Sequence, residues 1–188
     1  MPVSLITEYL LKGQLESALE AMDKYRISIS ASDFRRIANL LEEKVNRYYH
    51  NGDIRAARRM ERRLKALKIF RDHGLDPDKL IAITDLQDGY EGKILLLSIS
   101  AGRSRGVVCL RSGDDWHHEI FKNTEEEIRD LGFKNPVVVP AGGAAIRSDR
   151  NDNIVIFGSS DAYGTCDKKI AADLIAKSFP GKTVLVHH

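Results

Sequence analysis

The 188 residues suffice for one sizeable domain, or for a medium domain with a small helical module, and the 43% hydrophobic and 30% charged shares exclude a disordered chain. The longest apolar stretch, Ile94 to Leu97, falls far short of the roughly 20 residues of a membrane-spanning helix, and no basic-then-apolar leader opens the chain. A soluble cytoplasmic protein with no membrane partner is therefore expected. The formal charge of +2 conceals an asymmetry, because residues 1–75 hold 15 Lys+Arg against 10 Asp+Glu and the remainder 14 against 17.

From Leu5 to Leu19 apolar residues recur at helical spacing, with Gly13-Gln14 as a break, which predicts a helical hairpin. Ser32 or Asp33 is suited to cap a third helix carrying Phe34, Ile37, Ala38, Leu41 and Val45 on one face and ending near His50-Asn51-Gly52. Asp53 opens a fourth, whose stripe of Ile54, Ala57, Met60, Leu64, Leu67 and Phe70 stops at Gly74. Tyr9, Gly13 and Ala18 match Tyr48, Gly52 and Ala57 at a period of 39, a faint repeat that weakly resembles the tetratricopeptide type. Two such hairpins do not make a self-sufficient solenoid, so residues 1–75 read as a basic helical module that packs on the α/β domain or on a second chain, and a protein partner is expected for it.

Arg55, Arg58, Arg59, Arg62, Arg63, Lys65, Lys68 and Arg71 crowd the fourth helix with Glu61 as their single acidic neighbour. A nucleic-acid footprint is one reading. A solvated face, or pairing with the acidic α/β domain, is preferred to it, since no nucleic-acid motif accompanies the charge.

Residues 76–188 read as an α+β domain. Short β-like runs cover 79–84, 92–99, 106–111, 136–139, 144–147, 153–157 and 182–186, and two helices fit at about 116–131 and 168–178. Thr124 to Glu127 has the form of a capping box, which predicts an interruption or restart of the first of these helices. Cys109 and Cys166 have the spacing neither of a disulfide framework nor of a metal site, and are read as buried or incidental thiols. The His187-His188 pair is too small for a metal site and reads as a tail. No metal or other cofactor is expected.

Three features of this domain bear on chemistry: Lys93 opening an apolar strand, Trp116-His117-His118-Glu119 opening a helix, and Gly158-Ser-Ser160-Asp161-Ala162-Tyr163-Gly164 between a strand and the last helix. Singly they read as an edge charge, a surface or capping His, and a turn. Together they suit an anion, because small-residue loops leading to a helix N-terminus offer backbone N–H groups to a phosphate and a Lys supplies positive charge. The positive end of a helix dipole favours the neutral imidazole, which can accept a proton from water or attack phosphorus.

These segments resemble the Janus/Ocnus family, whose characterised members include phosphohistidine phosphatases. Gly158-Ser-Ser-Asp-Ala-Tyr-Gly164 is similar to the family's G-x-S-x-A-Y-G motif, and Trp116-His-His-Glu-Ile-Phe121 to its aromatic-His-x-acidic-Ile-aromatic segment; Gly92-Lys-Ile-Leu-Leu-Leu97 resembles its Lys-bearing strand. The resemblance covers about Leu80 to Val186. It implies a metal-independent hydrolase acting on phosphohistidine, and sometimes phospholysine, in proteins. It further implies a catalytic role for His117 rather than His118, with Lys93, the Ser160 hydroxyl and the N–H groups near Asp161 and Ala162 holding the phosphoryl oxygens. Tyr163 and Gly164 belong to the same motif. The family's Gly-Gly-Gly-Arg-Ile segment stands here as Gly142-Gly-Ala-Ala-Ile146, leaving Arg147 as the nearby candidate for its Arg. A catalytically silent phosphate- or phosphoprotein-binding adaptor is the alternative.

Overall fold

The computed structural model describes residues 2–102 and 105–187; the second member of the C-terminal His pair lies outside them. The chain is α+β and separates into two units. One holds the chain to Ile81 together with Glu126–Pro136, and the other holds Ala82–Glu125 and the chain from Val137 on.

The first unit contains α1 (Pro2–Leu11), α2 (Leu15–Tyr25), α3 (Ala31–His50), α4 (Ile54–His73) and the short α5 (Pro77–Leu80). Its interior is drawn from the stripes read in the sequence: Ile6, Leu10, Leu15, Ile37, Leu41 and Leu67 are at most 2% exposed. Each such Leu or Ile contributes about 1.5–3 kcal/mol relative to exposure. Phe34 and Phe70 join α3 to α4, with ring centroids 6.4 Å apart.

The repeat of period 39 has a structural counterpart. Gln14 N donates to Tyr9 O and Asp53 N to Tyr48 O, each at 2.9 Å, around Gly13 and Gly52 with φ of 72° and 74°. Both are left-handed helix stops of the Schellman kind, for which Gly lacks the Cβ penalty. Asp53 then caps α4 by accepting from Ala56 N. The cap of α3 is Ser30, whose Oγ accepts from Asp33 N, and not Ser32 or Asp33; the chain is still extended at Ser30 and the helix starts at Ala31, three residues before its apolar stripe begins at Phe34.

The second unit is built on a six-stranded mixed sheet in the order β1-β3-β2-β4-β5-β6. The strands are β1 (Thr84–Asp85), β2 (Gly92–Ser100), β3 (Val107–Ser112), β4 (Val137–Ser148), β5 (Ile154–Phe157) and β6 (Val184–Val186). The outer pairs β1·β3 and β5·β6 are parallel and the inner ones antiparallel. Its helices are α6 (His117–Asp130), which runs on into the first unit's segment, and α7 (Lys168–Ser178).

Several sequence expectations are corrected. Residues 79–84 form no strand of that length: Asp76 caps α5 and only Thr84–Asp85 pairs. The runs at 136–139 and 144–147 are one strand, carried through Gly142-Gly143 by a bulge opposite Leu95–Leu97. Helix α6 is continuous past Thr124, whose hydroxyl donates to Ile120 O instead of capping a restart.

Register sorts the two faces of the sheet. Ile94, Leu96, Leu110, Ala144, Ile146 and Ile156 pack with Ala171 and Ile175 of α7. The alternate positions Lys93, Leu95, Arg111, Gly143, Ala145 and Arg147 lie on the opposite face.

Candidate functional site

His117 is the first residue of α6 and is 7% exposed. The helix starts where Glu119 N and Ile120 N turn back onto Trp116 O, while Trp116 N is held by Asp114 Oδ1. The imidazole lies against β4: a Cβ on Gly143 would come within 2.6 Å of His117 Cδ2 and Nε2 and 2.8 Å of Ser160 Cβ. Only glycine leaves that room, so His117, Gly143 and Ser160 converge on one point of the sheet.

His117 Nε2 lies 2.9 Å from the carbonyl oxygen of Ala144. A carbonyl only accepts, so Nε2 carries the proton and the ring's lone pair in the neutral form resides on Nδ1. No described residue bonds Nδ1.

Ser160 is 4% exposed and sits in a closed loop, in which Ser160 N donates to Gly164 O and Gly164 N to Ser160 O. Gly143 N donates to the same Gly164 carbonyl and Cys166 N to Gly143 O, stitching the loop to β4. Ser160 Oγ accepts from Tyr163 N at 3.2 Å. Asp161 and Ala162 are exposed at the loop's tip, and their N–H groups have no acceptor among the described residues. Backbone N–H groups without an acceptor are donors available to an anion. The helix N-terminus expected to contribute is engaged otherwise, because Asp167 caps α7 by accepting from Lys169 N and Ile170 N. The donors of this loop are its own.

Tyr163 is turned to α6. Its hydroxyl is hydrogen-bonded to His118 Nδ1 at 2.9 Å, and its ring lies 5.8 Å from that of Phe121. Burial, then the charge of Glu125, holds the phenol above its ordinary value, so it stays protonated. His118 is thus engaged with the loop while His117 faces β4.

Lys93 is half-buried, and its ammonium lies 4.7 Å from the centroid of the exposed Trp116 ring. It shares the sheet face of Gly143, being paired with Ala145 while Leu95 is paired with Gly143. Arg147 lies on the same face, two positions beyond Ala145, with its guanidinium 5.3 Å from the Phe157 ring centroid.

Sequence reasoning passed over Arg111. It is 2% exposed on β3, paired with Leu95, and therefore on the face of Lys93 and Gly143. Its Nη1 donates to Leu110 O at 3.0 Å. The signal available was a lone Arg ending an apolar strand six residues before His117.

Cys109 and Cys166 are both buried thiols outside any disulfide, and burial pushes the Cys166 thiol up. Among the described residues there is no group of three or more His, Cys, Asp or Glu that could hold a metal ion, and no helix long and apolar enough to cross a membrane. On α4, five of the eight cations have acidic partners within their own unit: Arg55 with Glu126, Arg59 and Arg62 with Asp130, Lys68 with Glu42, and Arg71 with Asp72.

A family model described as Janus/Ocnus family (Ocnus) matches residues 81–183. The sex-regulated protein janus-A of Drosophila yakuba is 24% identical over 124 residues, covering 64% of this chain and 89% of that protein. Its Drosophila melanogaster counterpart is 23% identical over the same shares. The family model spans β1 to β5, His117 and the Ser160 loop and takes in more than half of the chain, which therefore belongs to the Janus/Ocnus family.

Proposed function

We propose that this chain is a protein phosphohistidine phosphatase, acting also on phospholysine, with His117 at its reacting centre and no requirement for a metal. The observation that carries the reading is the bond from His117 Nε2 to Ala144 O beside Ser160, because it leaves the lone pair on Nδ1 for chemistry.

In the hydrolysis, Nδ1 takes a proton from water as the water oxygen bonds phosphorus. The P–N bond breaks, and its electrons go to the substrate nitrogen, which is protonated as it leaves. Direct attack by Nδ1, followed by hydrolysis of a phospho-His117 intermediate, uses the same lone pair. The N–H groups of Asp161 and Ala162, the Ser160 hydroxyl and Lys93 would stabilise the charge on the phosphoryl oxygens, which is most of what phosphoryl transfer asks of a protein. The helical module would recognise the protein substrate or a partner.

A binding-only adaptor is the second reading, favoured by Ala145 at the strand position where the related segment carries Arg. Phosphate release from a phosphohistidine peptide, without added metal, separates the two. Turnover lost in His117→Ala and weakened in Lys93→Ala supports the phosphatase. Retained peptide binding with no turnover by folded wild type supports the adaptor.

A further inference from the structure

The first unit contains a polar cavity of about 440 Å³, lined by the turn after α1, by α4, and by the segment around the end of α6. Its volume falls within the roughly 300–1,000 Å³ of small-molecule sites. Five cations line it, Lys12, Arg59, Arg63, Arg129 and Lys134, against two acids, Glu126 and Asp130.

The acids are already engaged. Glu126 pairs with Arg55, and Asp130 with Arg62 at 2.6 Å and more distantly with Arg59 at 3.6 Å. Two of the cations are engaged as well, Lys12 with Glu8 and Lys134 with Glu20. The Arg129 side chain has no hydrogen bond or ion pair among the described residues, and Arg63 Nε is buried without a hydrogen-bond partner; Arg59 Nε, also buried, faces Asp130 Oδ1 at 3.6 Å, beyond hydrogen-bond distance. Burial pushes the Arg63 guanidinium down from its ordinary value, with Asp130 opposing the shift. Buried donors of this kind are normally satisfied, and the one on Arg63, beside a cavity rich in cations, calls for an acceptor that enters from outside the chain.

Arginine is also the side chain whose planar fork matches phosphate oxygens in pairs. Gly13 lets the Arg63 side chain lie directly on the turn at the cavity's edge: a Cβ there would lie 2.9 Å from Arg63 Cδ and Nε. We propose that this cavity binds a phosphorylated small molecule, its phosphoryl oxygens accepting from Arg59, Arg63 and Arg129. The site belongs to the helical unit and is separate from the His117 centre.

The test is calorimetric titration of the full chain with inorganic pyrophosphate and with glycerol phosphate, and, in a parallel arm, with a phosphoserine peptide. Saturable binding of the small phosphates is expected. It should weaken at least 10-fold in Arg63→Gln and in Arg129→Gln and persist in Lys177→Ala, which removes an exposed cation of the other unit. Arg129 is exposed, so its variant keeps the test valid if Arg63→Gln lowers the melting temperature. Absence of saturable binding, equal binding by the Arg129 variant, or loss of binding in Lys177→Ala alone would overturn the proposal. Binding of the peptide in preference to both small phosphates would also overturn it, assigning the cavity to a phosphorylated partner.

Discussion

A methyl group on Gly143 would stand 2.6 Å from two ring atoms of His117, far inside van der Waals contact. Gly143→Ala should therefore leave the sheet paired, since Gly143 is not among the residues of positive φ, but it should push the imidazole off Ala144 O. A displacement of about 1 Å at a reacting group costs roughly 100-fold in rate. We expect that loss in phosphohistidine hydrolysis, with a far-ultraviolet spectrum like wild type. Unchanged turnover would show that the His117 to Ala144 bond is not needed.

Arg111→Lys should weaken phosphohistidine hydrolysis by disturbing the sheet face that carries Lys93 and Gly143, with some cost to stability because Arg111 is buried. Its face is that of Lys93 and Gly143, and the guanidinium fork would be replaced by a single ammonium. A hydrogen bond to a charged group is worth about 1.5–3 kcal/mol, so kcat/KM for the phosphopeptide should fall ~10- to 100-fold. A variant with unaltered KM and kcat would make Arg111 purely structural.

The strands and helices were legible where periodicity was strong and caps were local. Lys168 to Ser178 is a helix with the bounds its pattern predicts, and the Tyr-Gly-Ala repeat marks two equivalent helix stops. Positions whose outcome depends on another element were not legible. Gly142-Gly143 reads as a break, yet is strand because β2 pairs across it and His117 fills the missing side chain's place. Thr124 reads as a cap, yet its hydroxyl is spent on the preceding turn. His117, Ser160 and Gly143 come together through tertiary pairing alone, whereas Arg111 stood in the sequence as an ordinary strand-end charge.

Asp130 holds the end of α6 to α4. It is 7% exposed and accepts from Arg62 Nη2 at 2.6 Å and Nε at 3.2 Å. Removing one partner of a fully buried pair costs about 3–5 kcal/mol. Arg62 and Arg59 are 28% and 43% exposed, so water recovers part of their solvation and Asp130→Ala should cost less, about 2 kcal/mol. Urea unfolding measures this, and a change under about 0.5 kcal/mol, the scale of an ordinary surface substitution, would mean that the pair contributes nothing beyond solvent exposure.

The β4–β5 turn should be sensitive to acid through Asp149. Its carboxylate accepts from Asn153 Nδ2 at 2.9 Å, Asn153 N at 3.0 Å and Asn151 N at 2.8 Å. The Asn153 side-chain bond first, and then these backbone bonds, hold it below the usual carboxylate value. Because the folded value lies below the unfolded one, the charged form is favoured by folding. The turn's stabilisation is thus complete above the ordinary carboxylate range and is lost as pH falls through the depressed folded value. Titration of the Asp149 carboxyl by NMR should show a midpoint below that of a free Asp, and the Asn153 amide should exchange faster in Asp149→Ala at neutral pH. A midpoint at the ordinary value, with exchange unchanged in the variant, would refute the account: it would mean that these bonds confer no preference for the carboxylate and that β4 and β5 are held in register by the strand pairing of Arg147 with Val155 and Ser148 with Ile154.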